Sequence, residues 1–424
     1  MNHAPLYLLV LLFVTSCASQ VSPDRKEALA AQESDVVETA IGPLTLPSPY
    51  SSESAVKLSE VIHWPEDAAP RAPEGFRVQR FAEGLQHPRS TYVSPDGDIF
   101  VVESNTRNSA NRILRLVDRD GDGIAEERQI FARDLNQPFG MLVLDGHFYI
   151  ANTDATWRYD YEPGQTALDQ STGEEILLTP PQGYNNHWTR NLLASRDGRK
   201  IYVSVGSGSN VGENGMEAET NRATILEANP DGSELREYAT GLRNPVGMDW
   251  NPVTGELWTA VNERDKLGDE LVPDYLTSVR EGAFYGWPYS YYGQLPDPRW
   301  ADNPHTELVQ RALVPDVPLG PHTASLGLAF YTGDAFPQTY RNGAFVGQHG
   351  SWNRSKFSGY KVVFVPFDAQ GKPQPPRDFL TGFIADAEAG KVYGRPVGVT
   401  QTPDGALLVC DDDAGIVWRV SAAK

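Results

Sequence analysis

The chain has 424 residues, 40% of them hydrophobic, enough to bury a large core in two or three domains or in one repeat architecture. Its 36 basic against 56 acidic residues give a net charge of −20, which opposes contact with a nucleic-acid backbone or an anionic lipid surface. Nucleic acid is thereby excluded as an expected partner.

Residues 1–17, MNHAPLYLLVLLFVTSC, form an apolar run of signal-peptide length, too short to span a bilayer comfortably. Its VTSC end resembles a bacterial lipobox, which implies a lipidated Cys17 and a protein tethered to the bacterial cell envelope, facing the periplasm. With Cys17 assigned to lipid, Cys410 has no intramolecular partner, so stability has to come from burial. Residues 18–60, rich in Ala, Ser, Glu and Pro, lack apolar periodicity and read as a flexible tether. The folded unit is expected over 61–424.

Six copies of one phrase follow: GLQHPRSTYVSPDGDIFVVES from Gly84, DLNQPFGMLVLDGHFYIANT from Asp134, NHWTRNLLASRDGRKIYVSVGS from Asn186, GLRNPVGMDWNPVTGELWTAVN from Gly241, TASLGLAFYTGDAFPQTYRNGAFVGQHGS from Thr323 and GRPVGVTQTPDGALLVCDDD from Gly394. Each reads strand, tight turn, strand. Asp-Gly pairs supply the positive φ of a hairpin, and the β-branched and aromatic runs suit pleated, buried strands. A further strand follows most copies, as in RILRLV after Asn111 and IVWRV after Gly415. Such repeats predict an all-β fold, a six-bladed β-propeller of four-stranded antiparallel blades, closed by FRVQRFA (Phe76 to Ala82) pairing with the last blade. Longer spacing around the fourth and fifth copies leaves room for insertions between Leu267 and His322. In a propeller, polar residues at equivalent blade ends converge on the axis.

Candidate chemistry appears along the repeats. Asp118, Asp120 and Asp122 in DRDGDGIAEERQ open like an EF-hand loop, but Gln129 stands at position twelve, so the segment reads as a structural calcium loop or an acidic turn. His187, just before the inner strand of the third copy, suits a base that takes a hydroxyl proton, or a polar channel lining. Arg243 and Asn244 hold the matching place in the fourth copy, where guanidinium and amide donors suit carbonyl or carboxylate oxygens. After that hairpin, VNERDKLGDELVPDYL is dense in oxygen ligands suited to calcium. Tyr285, Trp287, Tyr289, Tyr291 and Tyr292 suit either a pocket wall or packing.

RNPVG (Arg243 to Gly247), GDEL (Gly268 to Leu271) with YGWP (Tyr285 to Pro288), and the strand IYVSVG after His187 resemble the soluble pyrroloquinoline quinone (PQQ) dependent glucose and sorbosone dehydrogenases. The resemblance spans about Gly75 to Val420. It implies that His187 is the general base while hydride moves to the quinone, that Arg243 and Asn244 contact the quinone oxygens with Arg243 stabilising developing charge, and that Arg395 pairs with a cofactor carboxylate. It also implies calcium on the backbone carbonyls of Arg264 and Asp265. Three positions depart from the family: its cofactor-binding lysine has no clear counterpart in FVGQHGSWNRSKFSGY, where His349 and Arg354 are the polar candidates; Tyr393 replaces a second arginine; and Asn186 replaces an acidic neighbour of the base. GQHGSWNR is closer to the sorbosone-dehydrogenase-like branch.

The resulting expectation is a dehydrogenase of a sugar or sugar-derived alcohol or aldehyde, with PQQ and calcium as cofactors and a separate electron acceptor. Two other readings compete. A calcium-dependent propeller lactonase needs side-chain carboxylates converging on an axial metal, and a noncatalytic glycan- or protein-binding propeller would tolerate loss of His187.

Overall fold

The computed structural model describes residues 21–106, 108–179 and 187–423, so the expected signal segment and Cys17 lie outside the described residues. Within these limits six four-stranded antiparallel sheets carry the fold. Their first strands are Pro88–Val93, Gly140–Leu144, Leu192–Ala194, Pro245–Trp250, Ser325–Tyr331 and Pro396–Gln401. Each first strand packs against the first strand of the next sheet, and the sixth returns to the first, so these strands form a closed ring. Four sheets are built from consecutive strands of one repeat copy and its follower, as the phrase structure requires; the fourth sheet around the ring takes its outer strand, Val317–Pro321, from beyond an insertion. The insertion holds a short hairpin, Ser290–Tyr291 with Leu295–Pro296, and the helix Thr306–Arg311.

The turns obey the expected chemistry. Gly97, Gly146, Gly198 and Gly405 all sit at φ between 69° and 91°, where a side chain would be strained. The closing strand is also where the sequence places it: Phe76–Glu83 runs antiparallel to Ile416–Ala422, from Phe76 opposite Ala422 to Glu83 opposite Ile416. The chain thus joins its beginning to its end in one sheet.

Aligned on the strands, the repeat shows a second rule. The position aligned with the second residue of the first strands holds Arg89, Phe139 and Arg190 (one and two residues before their strands proper), Val246, Leu326 and Val397, and the apolar four of these form a buried cluster with Trp188. The next position holds Gly140, Gly247, Gly327 and Gly398 in four copies. A Cβ on Gly140 would stand 2.6 Å from the Arg190 carbonyl, and one on Gly247 2.6 Å from the Leu328 amide. A Cβ on Gly327 would overlap the Val397 carbonyl. The glycines therefore serve close approach of neighbouring strands, and the ring shuts around an apolar plug.

The expected tether at 18–60 is ordered over most of its length. Pro23–Ala30 is a helix capped by Ser22, and Asp35–Thr39 pairs with Gly42–Leu46 as a hairpin. Val37 and Leu46 enter the core of the fourth sheet beside Leu267, Leu271 and Tyr291. The amide of Tyr50 donates to the Leu267 carbonyl, and Glu60–Val61 adds a parallel strand to Lys391–Val392. A Pro- and Ser-rich segment needs no periodicity of its own when a finished surface offers it partners.

Candidate functional site

One end of the ring collects the start of each first strand and the loop that follows each second strand, because the two strands are antiparallel neighbours. Arg89, His187, Arg190, Arg243, Asn244, Asp265, His322, His349, Arg395 and Asp412 all belong to these segments. All of them except His349 and Arg395 are buried, and those two are half-buried.

His187 is held by its Nδ1, 3.1 Å from the Ser207 carbonyl and 3.0 Å from the Ser207 hydroxyl. A carbonyl can only accept, so Nδ1 carries the proton and Nε2 holds the lone pair. Burial, with the charges of Arg243 and Arg222 nearby, pushes the imidazole well below its ordinary range, so the ring is neutral at pH 7. Asn244 sits against the same glycine as His187: a Cβ on Gly206 would stand 2.7 Å from the His187 Cβ and would overlap Asn244 Oδ1. Asn244 Oδ1 is buried without a hydrogen-bond partner among the described residues. Asn186, where the family's acidic neighbour was sought, lies outside the described residues, as do all of residues 180–186.

Arg243 differs from expectation. Its Nε donates to the Asn210 carbonyl at 3.2 Å, one terminal nitrogen to the carbonyls of Asn262 and Glu263 at 3.3 and 2.5 Å, and the other to Asn210 Oδ1 and Asp265 Oδ2 at 2.9 and 3.0 Å. All five N–H groups are thus engaged by the protein. Direct donation from Arg243 to a ligand oxygen would require one of these bonds to open. Burial would raise the Asp265 carboxyl, but Arg243 and His322, 3.4 Å away, outweigh it and hold the group ionised.

The loop expected to bind calcium is braced by side chains. The Asp265 carbonyl accepts from the Arg264 guanidinium at 2.7 Å and from Asn210 Nδ2 at 3.0 Å. Arg264 is itself buried in a bidentate pair with Asp297. A cation on the Asp265 carbonyl would have to displace both donors. By contrast Asp118, Asp120 and Asp122 do converge, joined by Glu126 at position nine of the loop. They lie on the first sheet's outer turn, pinned by Gln79 to the carbonyls of Asp122 and Gly123, and take no part in the axial end.

Opposite Arg243, the Arg89 guanidinium bonds Asp412 at 2.5 Å, lies 5.4 Å from the Trp188 ring, and keeps a buried Nε–H without an acceptor among the described residues. His349 Nε2 stands 3.0 Å from both Asp412 oxygens. Arg395 donates to the carbonyls of His349 and Gly350 and faces Asp413 at 3.6 Å. His349 and Arg395 are therefore brought to the axial end. Arg354 is directed elsewhere, to the Asp269 carbonyl and the Glu270 carboxylate. The aromatic run is packing: Tyr285, Trp287, Tyr291 and Tyr292 are buried, and the Trp287 indole donates to Asn210. His349, Asp412 and Asp413 come close enough to share a metal, but Arg89 and Arg395 pair with the two carboxylates.

The profile of the TrAA12-like family matches residues 70–275 and 303–423. The chain belongs to that family. The placement agrees with the resemblance carried by RNPVG, GDEL and YGWP to soluble PQQ sugar dehydrogenases. Among its relatives in the family's neighbourhood, an uncharacterised protein of Borreliella burgdorferi is 27% identical, covering 84% of this chain and 91% of that one. The pyrroloquinoline quinone-dependent pyranose dehydrogenase of Coprinopsis cinerea is 26% identical over 82% of this chain but only 54% of its own length, so the chain spans about half of that relative. In three dimensions the fold matches the calcium structure of a Trichoderma reesei family AA12 enzyme with a TM-score of 0.72 at 20% identity, covering 86% of this chain and 98% of that one.

Several residues of the site escaped the sequence reading: Ser207, Asn210, Glu219, Arg89 and Asp412. Alignment of the copies carried a signal for three of them. Arg89 occupies a position that is apolar in four copies, and Ser207 to Asn210 form a Gly/Ser/Asn loop where the fourth and sixth copies have acidic runs.

Proposed function

We propose that the chain is a six-bladed propeller that oxidises a sugar or sugar-derived alcohol or aldehyde with PQQ bound at the axial end, where His187 is the general base. The observation that carries this reading is the neutral, Nδ1-protonated His187 beside Asn244, whose buried Oδ1 has no partner among the described residues, and the buried charge of Arg243. The relative named above as a pyrroloquinoline quinone-dependent pyranose dehydrogenase supports the same chemistry.

The residues present suit a planar, anionic, oxygen-rich group. Arg89, Arg395 and Arg243 bring guanidinium groups, each paired with an aspartate, to this end of the ring, and the buried polar atoms without partners among the described residues include Arg89 Nε, Asn152 Oδ1, Thr189 Oγ1 and Asn244 Oδ1. A buried polar group without a partner costs about 1–3 kcal/mol, which a ligand would offset. When bound, PQQ supplies a two-electron acceptor for the substrate's hydride. The chain's own part is to take the hydroxyl proton at His187 Nε2 and to keep positive charge near the acceptor. Asn244 would hold the cofactor's oxygens and Arg395 a carboxylate. For calcium, the carboxylates Asp118, Asp120, Asp122 and Glu126 form an oxygen set of the right kind, whereas the Asp265 carbonyl, proposed with that of Arg264, fits only after the Arg264 guanidinium and Asn210 move. Lipid anchoring at Cys17 in the cell envelope is proposed on the N-terminal sequence; no described helix is long and apolar enough to cross a membrane.

The test is titration of the purified protein with PQQ and calcium, followed by quinone absorbance, then reduction of an artificial acceptor with a panel of aldoses and aldehydes. Quinone uptake and sugar-dependent turnover are expected. Absence of any quinone binding at saturating concentration overturns the reading.

A further inference from the structure

The loop Gly206–Gly212, leaving the second strand of the third sheet, touches both functional side chains. Near its start, Ser207 presents its hydroxyl and carbonyl to His187 Nδ1. Near its end, Asn210 takes two of the Arg243 donors and, through Oδ1, the Asp265 amide at 2.9 Å. The orientation of the Ser207 hydroxyl is fixed, because it donates to the Ser209 carbonyl at 2.6 Å and so turns its lone pairs toward the imidazole.

What holds this loop is a buried carboxylate thirteen residues beyond Gly206. Glu219 accepts from the Ser209 hydroxyl with one oxygen and from the Gly208 amide at 2.6 Å with the other, and Ser209 Oγ in turn accepts the Gly212 amide at 2.9 Å. Arg222 lies alongside, its guanidinium 3.4 Å from the Gly206 carbonyl. Glu219 thus closes the loop on itself and touches neither His187 nor Arg243.

We propose that Glu219 is a positioning residue for the base: by clamping Gly208 and Ser209 it keeps Ser207 where it accepts the Nδ1 proton of His187, and so fixes the tautomer whose lone pair lies on Nε2. The role of that lone pair in catalysis rests on the dehydrogenase reading; the tautomer itself does not. A neutral histidine in the other tautomer presents an N–H to a substrate hydroxyl and cannot accept its proton.

The experiment uses the full protein labelled with ¹⁵N-histidine, without added cofactor, above pH 6.5, where two-bond proton–nitrogen correlations distinguish the neutral tautomers. His187→Gln assigns the signal. Glu219→Gln keeps the shape but loses one of two acceptors, and Ser209→Ala removes only the hydroxyl link. Both variants are expected to shift His187 toward a mixture of tautomers, and to lower kcat by about ten-fold with KM nearly unchanged. The double variant should be no worse than the poorer single one, since both cut the same link. An Nδ1-protonated signal that persists unchanged in both variants overturns the proposal, whatever kcat does. If the tautomer shifts but the unaltered protein neither binds quinone nor turns over sugar, the positioning role stands and the dehydrogenase reading falls.

Discussion

At the scale of single residues, burial decides which charges work. His187 is held well below its ordinary 6.5 by desolvation first and then by Arg243 and Arg222. Between that depressed value and 6.5 the unfolded chain binds more protons than the folded one, so this group's contribution to stability is complete above 6.5 and is lost as pH falls below it. With His187 as the proposed base, the same shift predicts activity into mild acid: the acid limb of kcat/KM is expected below pH 6.5, and His187→Gln should lower kcat by ~10²–10⁴ while the thermal transition survives. A limb at or above 6.5 would contradict the buried, neutral ring. Arg264 and Asp297 pose the opposite case, a buried bidentate pair. Asp297→Ala leaves a guanidinium without its partner and should cost about 3–5 kcal/mol in urea unfolding, far more than loss of an exposed pair.

At the scale of elements, the repeated phrase has two parts with different jobs. Its hairpin turn was legible directly, because Asp-Gly demands a local backbone shape. Its first-strand glycines mean something only in the ring, where Gly247 meets Leu326 and Leu328, Gly327 meets Val397, and Gly398 meets Arg89 and Ser90. Gly327→Ala drives a methyl into the Val397 carbonyl and is expected to destabilise by ~1–3 kcal/mol or more, with loss of activity following loss of the ring. A chemically silent Gly327→Ala, with an unmoved denaturation midpoint, would mean that the first strands can slide apart. The N-terminal hairpin teaches the converse lesson. Its sequence carries no amphipathic period, yet Val37 and Leu46 find a place beside Leu267 and Tyr291. Composition reports whether a segment can fold alone; docking depends on a surface that the segment itself does not encode.

At the scale of the whole molecule, a net charge of −20 surrounds an axial end lined by arginines. The long-range field is therefore negative and the local one is paired. If the protein passes electrons to a soluble acceptor, a cationic dye should be reduced more slowly as salt rises and an anionic one such as ferricyanide faster, as screening weakens attraction and repulsion. Identical salt responses would place the encounter under local charges. The sequence by itself determined the all-β class, the six hairpins, the closing strand and the place of His187, Arg243 and Asn244 at the ends of their copies, because periodicity, turn chemistry and a break in a repeat are local facts. Only the tertiary structure decided that every donor of Arg243 is taken, that Arg354 faces away, that Arg264 stands on the Asp265 carbonyl, and that Glu219 holds the loop beneath the base. Those relations join residues from different sheets or across a loop, and hydrogen-bond partners at such separations are set by where the ring closes.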